Sequence, residues 1–160
     1  MADALISLGS NIGDPLAALH QAIDYLKCDP DLTIKSRSSF YRTTPVGPVQ
    51  QDDFINAALH LSTMLTPDAF MQKLLDIETK MGRDRTNAVR FGPRVIDLDL
   101  ILYDDVKQKS ALVELPHPRF RERAFVLVPL AEIAPNWRVD GVALSELAAA
   151  LDDGGVTRIN

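Results

Sequence analysis

Between Val95 and Tyr103 the chain reads Val-Ile-Asp-Leu-Asp-Leu-Ile-Leu-Tyr. Apolar residues at 96, 98, 100 and 102 alternate with Asp97 and Asp99. A period of two of this kind suits a strand with one face in a core and not a helix. Ile96, Leu98, Leu100 and Leu102 are therefore predicted on the buried face, and both aspartates on the other. Carboxylates two residues apart on one strand face have Cα atoms about 6.5–7 Å apart, so the pair can converge on bound cations.

The rest of the chain supplies partners for that strand. Residues 4–8 read as a buried strand ending at Gly9, followed by a turn over 9–15 with Asp14 as helix N-cap and Pro15 at the first helical position. Leu16, Leu19, Ile23 and Leu26 recur at helical spacing up to about Lys27. After the Asp29-Pro30-Asp31 break, a strand is predicted from Thr33 to Arg42, a loop from Thr44, and a strand over 54–61. Thr66-Pro67 opens a second helix with Phe70, Leu74, Ile77 and Met81 on one face, ending near Gly82. Beyond Tyr103 the reading is a turn at Asp104-Asp105, a short return strand near Val106, short helices at 119–123 and 144–151, and an unassigned apolar run from Phe125 to Leu130. Strand, helix, strand, strand, helix, strand predicts an α+β fold. Its core is a ferredoxin-like β-α-β-β-α-β arrangement, with an appended C-terminal portion of short helices and strand. Residues 1–160 are read as one domain, with no linker or repeat.

Charge narrows the function. The net charge is -5, which argues against an electrostatic nucleic-acid binder. Yet Arg83, Arg85, Arg90 and Arg94 crowd residues 83–94 against Asp84 alone, and Arg119, Arg121 and Arg123 follow His117. An acidic chain with two arginine clusters suggests a site for a small polyanion. The one cysteine, Cys28, and the scattered His20, His60 and His117 have no zinc-ligand spacing. The start of the chain has no signal-peptide pattern, and no stretch reads as a membrane span, so a cytoplasmic protein is expected.

Taken alone, Asp97-Leu98-Asp99 is a weak signal that reads more readily as an acidic edge on a half-exposed strand. Arg94 and the arginine loop before it change the weighting, because metal-assisted phosphoryl transfer pairs cation-holding carboxylates with guanidinium groups. Oxygen ligands without thiols favour Mg²⁺ over zinc. The phosphate-binding P-loop and the protein-kinase motif set are both absent. Asn56, flanked by Ile55 and Ala57, is awkward in a core unless paired and so favours a binding role.

The blocks Leu8-Gly9-Ser10-Asn11, Phe40-Tyr41-Arg42-Thr43, Phe54-Ile55-Asn56-Ala57-Ala58, Gly82-Arg83-Asp84-Arg85, Gly92-Pro93-Arg94-Val95-Ile96-Asp97-Leu98-Asp99 and Pro116-His117-Pro118-Arg119 occur in this order. In that order, over about residues 5–135, the chain resembles the 6-hydroxymethyl-7,8-dihydropterin pyrophosphokinases. The resemblance implies transfer of diphosphate from ATP to 6-hydroxymethyl-7,8-dihydropterin, with AMP leaving, in folate biosynthesis. It implies two Mg²⁺ ions on Asp97 and Asp99, with Arg83 and Arg94 engaging the triphosphate and supporting the transition state. Arg85, Phe91, Leu100, His117 and Arg123 match other ATP positions. Asn56 matches the reader of the pterin edge, Phe54 and Phe125 the aromatic pair around the ring, and Thr43, Thr44 and Val46 the loop on its remaining edge.

Three positions depart from the pattern: Phe54 replaces a tyrosine of some members, Phe91 a frequent tryptophan, and Pro118 an occasional tyrosine. The expected partners are the two small substrates, with no nucleic acid, no membrane and a monomeric state. The arginine loop is expected to be mobile until nucleotide and pterin are both bound. Two rivals remain from the residues alone. One is a ferredoxin-like binding module for RNA or a regulatory ligand, and the other is a metal-dependent nucleotide hydrolase.

Overall fold

A computed structural model describes residues 1–45, 48–82, 95–152 and 154–159. The first half runs β1 (Ala2–Ser10), α1 (Pro15–Lys27), β2 (Leu32–Arg37), β3 (Tyr41–Thr43), β4 (Phe54–Thr63), α2 (Pro67–Lys80) and β5 (Asp97–Tyr103). After it come β6 (Gln108–Lys109), β7 (Glu114–Leu115), a 3₁₀ turn (Phe120–Glu122), α3 (Ala124–Ile133), β8 (Arg138–Val139), β9 (Val142–Ala143), α4 (Leu144–Ala150) and β10 (Val156–Arg158). The main sheet has the order β10-β3-β4-β1-β5, with β2 also on β4, and its pairings are antiparallel. The helix starts are those the sequence predicts. Asp14 accepts from the Ala17 N–H at 3.1 Å and Thr66 from that of Ala69 at 3.2 Å, each followed by proline.

The two sheet faces are covered by different helices. Ala4, Ile6 and Leu8 of β1, Ile55, Ala57, Leu59 and Leu61 of β4, and Leu98 and Leu100 of β5 pack with Leu19, Leu26, Phe70 and Leu74 of α1 and α2. On the opposite face Leu5, Ala58, Ile101 and Leu102 pack with Phe120, Val126, Leu127, Leu130 and Leu144. Central strands covered on both sides read as apolar runs, as β1 and β4 largely do. Among the described residues no helix is long and apolar enough to cross a membrane.

Several expectations are corrected. β1 does not stop at Gly9 but pairs through Ser10, because Gly9 has strand partners on both sides. The single strand expected from Thr33 to Arg42 is two, β2 and β3. Between them the Ser38 N–H donates to the Ala58 carbonyl at 3.0 Å, while the Ser38 Oγ accepts from the Ala58 N–H at 2.8 Å. Leu102 does not share a face with Ile96, Leu98 and Leu100. Leu5 pairs with Leu102 but Ile6 with Leu100, so Ile101 is an extra residue and the alternation inverts beyond it. The apolar run from Phe125 to Leu130 is helical, within α3, despite Pro129 inside it. It lacks a helical stripe because it packs against both the sheet and α4.

α3 is tied to β3 by Glu132. Its carboxylate accepts from the Ser39 N–H and Ser39 hydroxyl at 3.0 Å and from the Tyr41 hydroxyl at 2.5 Å. Burial, then the hydrogen bond to Glu132, pushes the Tyr41 phenol up to about 12. Tyr41→Phe is expected to destabilise the fold by about 1.5–3 kcal/mol in urea titrations, the usual cost of a lost hydrogen bond to a charged acceptor. An unchanged unfolding midpoint would show that the Glu132 tie is dispensable.

Candidate active site

Gly9 stands between two strands, opposite Asn56 on β4 and opposite Asp97 on β5. Residues paired directly across an antiparallel sheet share a face, so Asn56 and Asp97 flank a position with no side chain, about 10 Å apart across two strand spacings. A Cβ at Gly9 would lie 2.8 Å from the Asn56 Nδ2. One step along, Ser7 lies between Ala58 and Asp99 by the same registers. This end of the sheet face is polar, whereas the end beneath α3 and α4 is apolar.

Asn56 is 4% exposed, and its Oδ1 has no hydrogen-bond partner among the described residues. The Thr43 Oγ1, on the same face through the Thr43–Phe54 and Tyr41–Asn56 pairs, is likewise buried and unpartnered. Buried polar atoms rarely stay unpaired, because each forfeits its hydration. Two such atoms on one face beside Phe54 mark a place for a flat ligand with polar edges. The far end of the chain supports this corner. Val156 of β10 pairs with Thr43, and the Thr44 N–H donates to the Gly155 carbonyl at 3.2 Å. Gly155 has φ +97°, and a Cβ there would press on the Thr44 Oγ1 at 2.9 Å.

Asp97 and Asp99 are half-buried and alternate with the buried Leu98 and Leu100. Leu100 is 1% exposed within the α1/α2 core, so of the expected nucleotide positions it can offer only its backbone to this side. Among the described residues no group of three or more His, Cys, Asp or Glu side chains could hold a metal. Two carboxylates alone suit a hard cation that keeps water and phosphate oxygens, and do not suit a zinc ion bound by protein alone.

The third wall comes from the segment after β7. The His117 N–H donates to the Ile101 carbonyl at 2.9 Å, and the His117 Nδ1 accepts from the Arg119 N–H at 3.2 Å. Burial and then the Arg123 charge lower the His117 pKa to about 4, against the opposing pull of Asp97. The ring is thus neutral at pH 7, with Arg123 and Asp97 in electrostatic reach. The Arg123 Cζ lies 5.8 Å from the centre of the Phe125 ring at the start of α3. Arg119 and Arg121 are engaged elsewhere, in ion pairs with Glu122 at 2.7 Å and Asp140 at 2.8 Å, so Arg123 is the member of this cluster left facing the site. Val46, Arg83, Arg85, Phe91 and Arg94, and the whole arginine loop, lie outside the described residues.

A cavity of about 580 Å³ is lined by Asn11, Arg42, Asp52 and Ile55. Arg42 and Ile55 alternate with Thr43, Phe54 and Asn56, so this cavity opens on the opposite face and is not the Asn56 site.

The family model for 7,8-dihydro-6-hydroxymethylpterin-pyrophosphokinase (HPPK) matches residues 5–135. The chain belongs to the HPPK family. It is thereby an enzyme of the ATP-dependent diphosphotransferase type. The 2-amino-4-hydroxy-6-hydroxymethyldihydropteridine pyrophosphokinase of Methylorubrum extorquens is 45% identical over 159 residues, 99% of each chain. That of Bacillus subtilis is 43% identical over 130 residues, covering 81% of this chain and 77% of the relative. Among solved structures, wild-type Plasmodium falciparum HPPK-DHPS matches 92% of this chain with a TM-score of 0.70 and 13% identity. This chain spans only 40% of that longer protein, so the likeness concerns the fold.

Two further positions carry only indirect signals in the sequence. Gly9 passes for a turn glycine until its two strand partners are known. Glu78 is 1% exposed on the buried face of α2, four residues after Leu74, and that spacing was a usable signal.

Gly9→Ala is expected to weaken pterin binding by about 10-fold or more, because the displaced Asn56 amide is buried and cannot yield cheaply. Fluorescence titration with the pterin checks this, and unchanged affinity would remove Gly9 from the site. The His117 pKa is lower folded than unfolded, so the unfolded chain takes up the proton first. Its contribution to stability is whole above about pH 6.5 and is lost as pH falls toward 4. His117→Asn should flatten that part of the stability–pH curve, and the wild-type ring should titrate near pH 4 by NMR.

Proposed function

We propose that the chain transfers the diphosphate of ATP to the hydroxymethyl group of 6-hydroxymethyl-7,8-dihydropterin, giving the pterin diphosphate and AMP in folate biosynthesis. The observation that carries this reading is the register that sets the unpartnered Asn56 Oδ1 and the Asp97 carboxylate on either side of Gly9. A nucleotide hydrolase needs the carboxylates but not a buried, unpaired amide oxygen beside them.

In this reading Asn56 reads the pterin edge, Phe54 and Phe125 bracket the ring, and Thr43, Thr44 and Val46 line its remaining edge. Asp97 and Asp99 would hold two Mg²⁺ ions, whose contribution would be to neutralise charge on the phosphates. His117, neutral and half-buried, offers phosphate a hydrogen bond without a charge. Arg123 supplies charge beside it, joined by Arg85, with Phe91 toward the nucleotide. Arg83 and Arg94 act on the charge that develops on the transferring group. The hydroxymethyl oxygen attacks the β-phosphorus and AMP leaves, with positioning and charge stabilisation as the means of catalysis. The order β5-β1-β4-β2 supports the ferredoxin-like reading of the core. We take the protein as a single-domain, cytoplasmic monomer acting on its two small substrates, with no nucleic-acid or membrane partner.

Incubation with ATP, Mg²⁺ and the pterin alcohol should yield AMP and the pterin diphosphate by chromatography. Formation of ADP, or hydrolysis indifferent to the pterin, would overturn the reading. Asp97→Ala and Asp99→Ala should each lower AMP formation by roughly 100-fold or more while pterin affinity changes little, since only the cation-holding carboxylates are removed. Near-normal turnover in either variant at saturating Mg²⁺ would rule out the paired-cation site.

A further inference from the structure

The buried face of α2 carries Phe70, Met71, Leu74, Ile77 and one acid, Glu78. Glu78 is 1% exposed. Its Oε2 accepts the backbone N–H of Leu98 at 2.7 Å. That N–H belongs to the peptide unit joining Asp97 to Leu98, between the two site aspartates. Among the described residues, β5 is the last strand in the order of the main sheet, with β1 on one side only. On that outer edge Glu78 acts where a further strand would otherwise supply an acceptor.

Burying a carboxylate is costly, and an apolar residue of similar volume at such a place often leaves a fold equally or more stable. A charged acceptor also makes a shorter, stronger bond than a neutral one. The acid is placed at the peptide whose position sets where both aspartates point. On the functional reading above, we propose that Glu78 is a positioning residue for diphosphate transfer. It pins the Asp97–Leu98 peptide to α2, so the Asp97 and Asp99 carboxylates keep their spacing on the site face. It acts on the reaction through β5, by way of the Leu98 N–H.

Two variants separate this role from general packing. Glu78→Met keeps the volume but removes the oxygen acceptor, whereas Glu78→Gln keeps a neutral one. In Glu78→Met the Leu98 amide is expected to exchange with solvent at least about 100-fold faster, with the Leu8 and Leu59 amides little changed. Calorimetry with Mg²⁺ and a non-hydrolysable ATP analogue should show affinity weakened by about 10-fold, and kcat should fall about 10-fold or more, while pterin affinity without metal stays within about twofold. Glu78→Gln should restore kcat to within about threefold, with the Leu98 amide proton shifted upfield as its bond weakens.

A folded Glu78→Met protein with wild-type kcat and Mg²⁺–nucleotide affinity would overturn the proposal. So would loss of pterin affinity in step with kcat, which would mean collapse of the whole site. If Glu78→Met does not fold, the Glu78→Gln spectrum decides, and an unmoved Leu98 amide counts against it. Absence of AMP formation by the wild-type protein would defeat the functional reading alone, because amide exchange and Mg²⁺–nucleotide binding still report on Glu78.

Discussion

β1 is hydrogen-bonded along both edges, to β4 from Ala2 to Ser10 and to β5 from Ala4 to Gly9. A strand held on both sides has little freedom to slip, since a one-residue shift would turn Ala4, Ile6 and Leu8 out of the α1/α2 core. The same registers bring Asn56, Gly9 and Asp97 side by side, with Ala58, Ser7 and Asp99 in the next row. The hydrophobic pattern that holds the sheet in register therefore also sets the geometry of the site. Gly9 adds room, because any side chain there would occupy the ground between the amide and the carboxylate.

The C-terminal half closes this platform on one side. α3 rests on Leu5, Ala58, Ile101 and Leu102 and leaves the end of the face bearing Asn56 and Asp97 to polar residues. Glu132 fastens α3 to Ser39 and Tyr41, so Arg123 and Phe125 at its start are held relative to β3 and β4. β10 then backs Thr43 and Thr44 from the far end of the chain. The binding corner thus depends on segments more than a hundred residues apart, while the carboxylates depend on β5 and its tie to α2.

Electrostatics divides the second arginine cluster in a way its composition does not suggest. Arg119 and Arg121 are occupied by Glu122 and Asp140, exposed pairs that contribute little to stability. Arg123, beside the half-buried His117, acts on its neighbours with less screening by solvent. Three arginines in five residues have two different environments, and only the packing of the 3₁₀ turn against α3 distinguishes them.

Local chemistry alone determined much of this protein. Asp14-Pro15 and Thr66-Pro67 start helices wherever a chain places them, because a capping oxygen and a preset φ act within one turn. The alternation through Asp97 and Asp99 likewise specified a strand and the shared face of the two carboxylates, and the ordered motif blocks pointed to the family. The tertiary structure decided what depends on partners distant in sequence. It broke Thr33–Arg42 into two strands at Ser38, made Ile101 a bulge that turned Leu102 over, and made Gly9 a strand residue instead of a turn. It formed a helix from the evenly apolar run at Phe125, because an element buried on several sides keeps no periodic stripe. It also gave Glu78 a backbone N–H to hold. Propensity and periodicity report what a segment does by itself, whereas a bulge, an unpartnered amide or a buried acid is defined by the atoms that another part of the chain brings beside it.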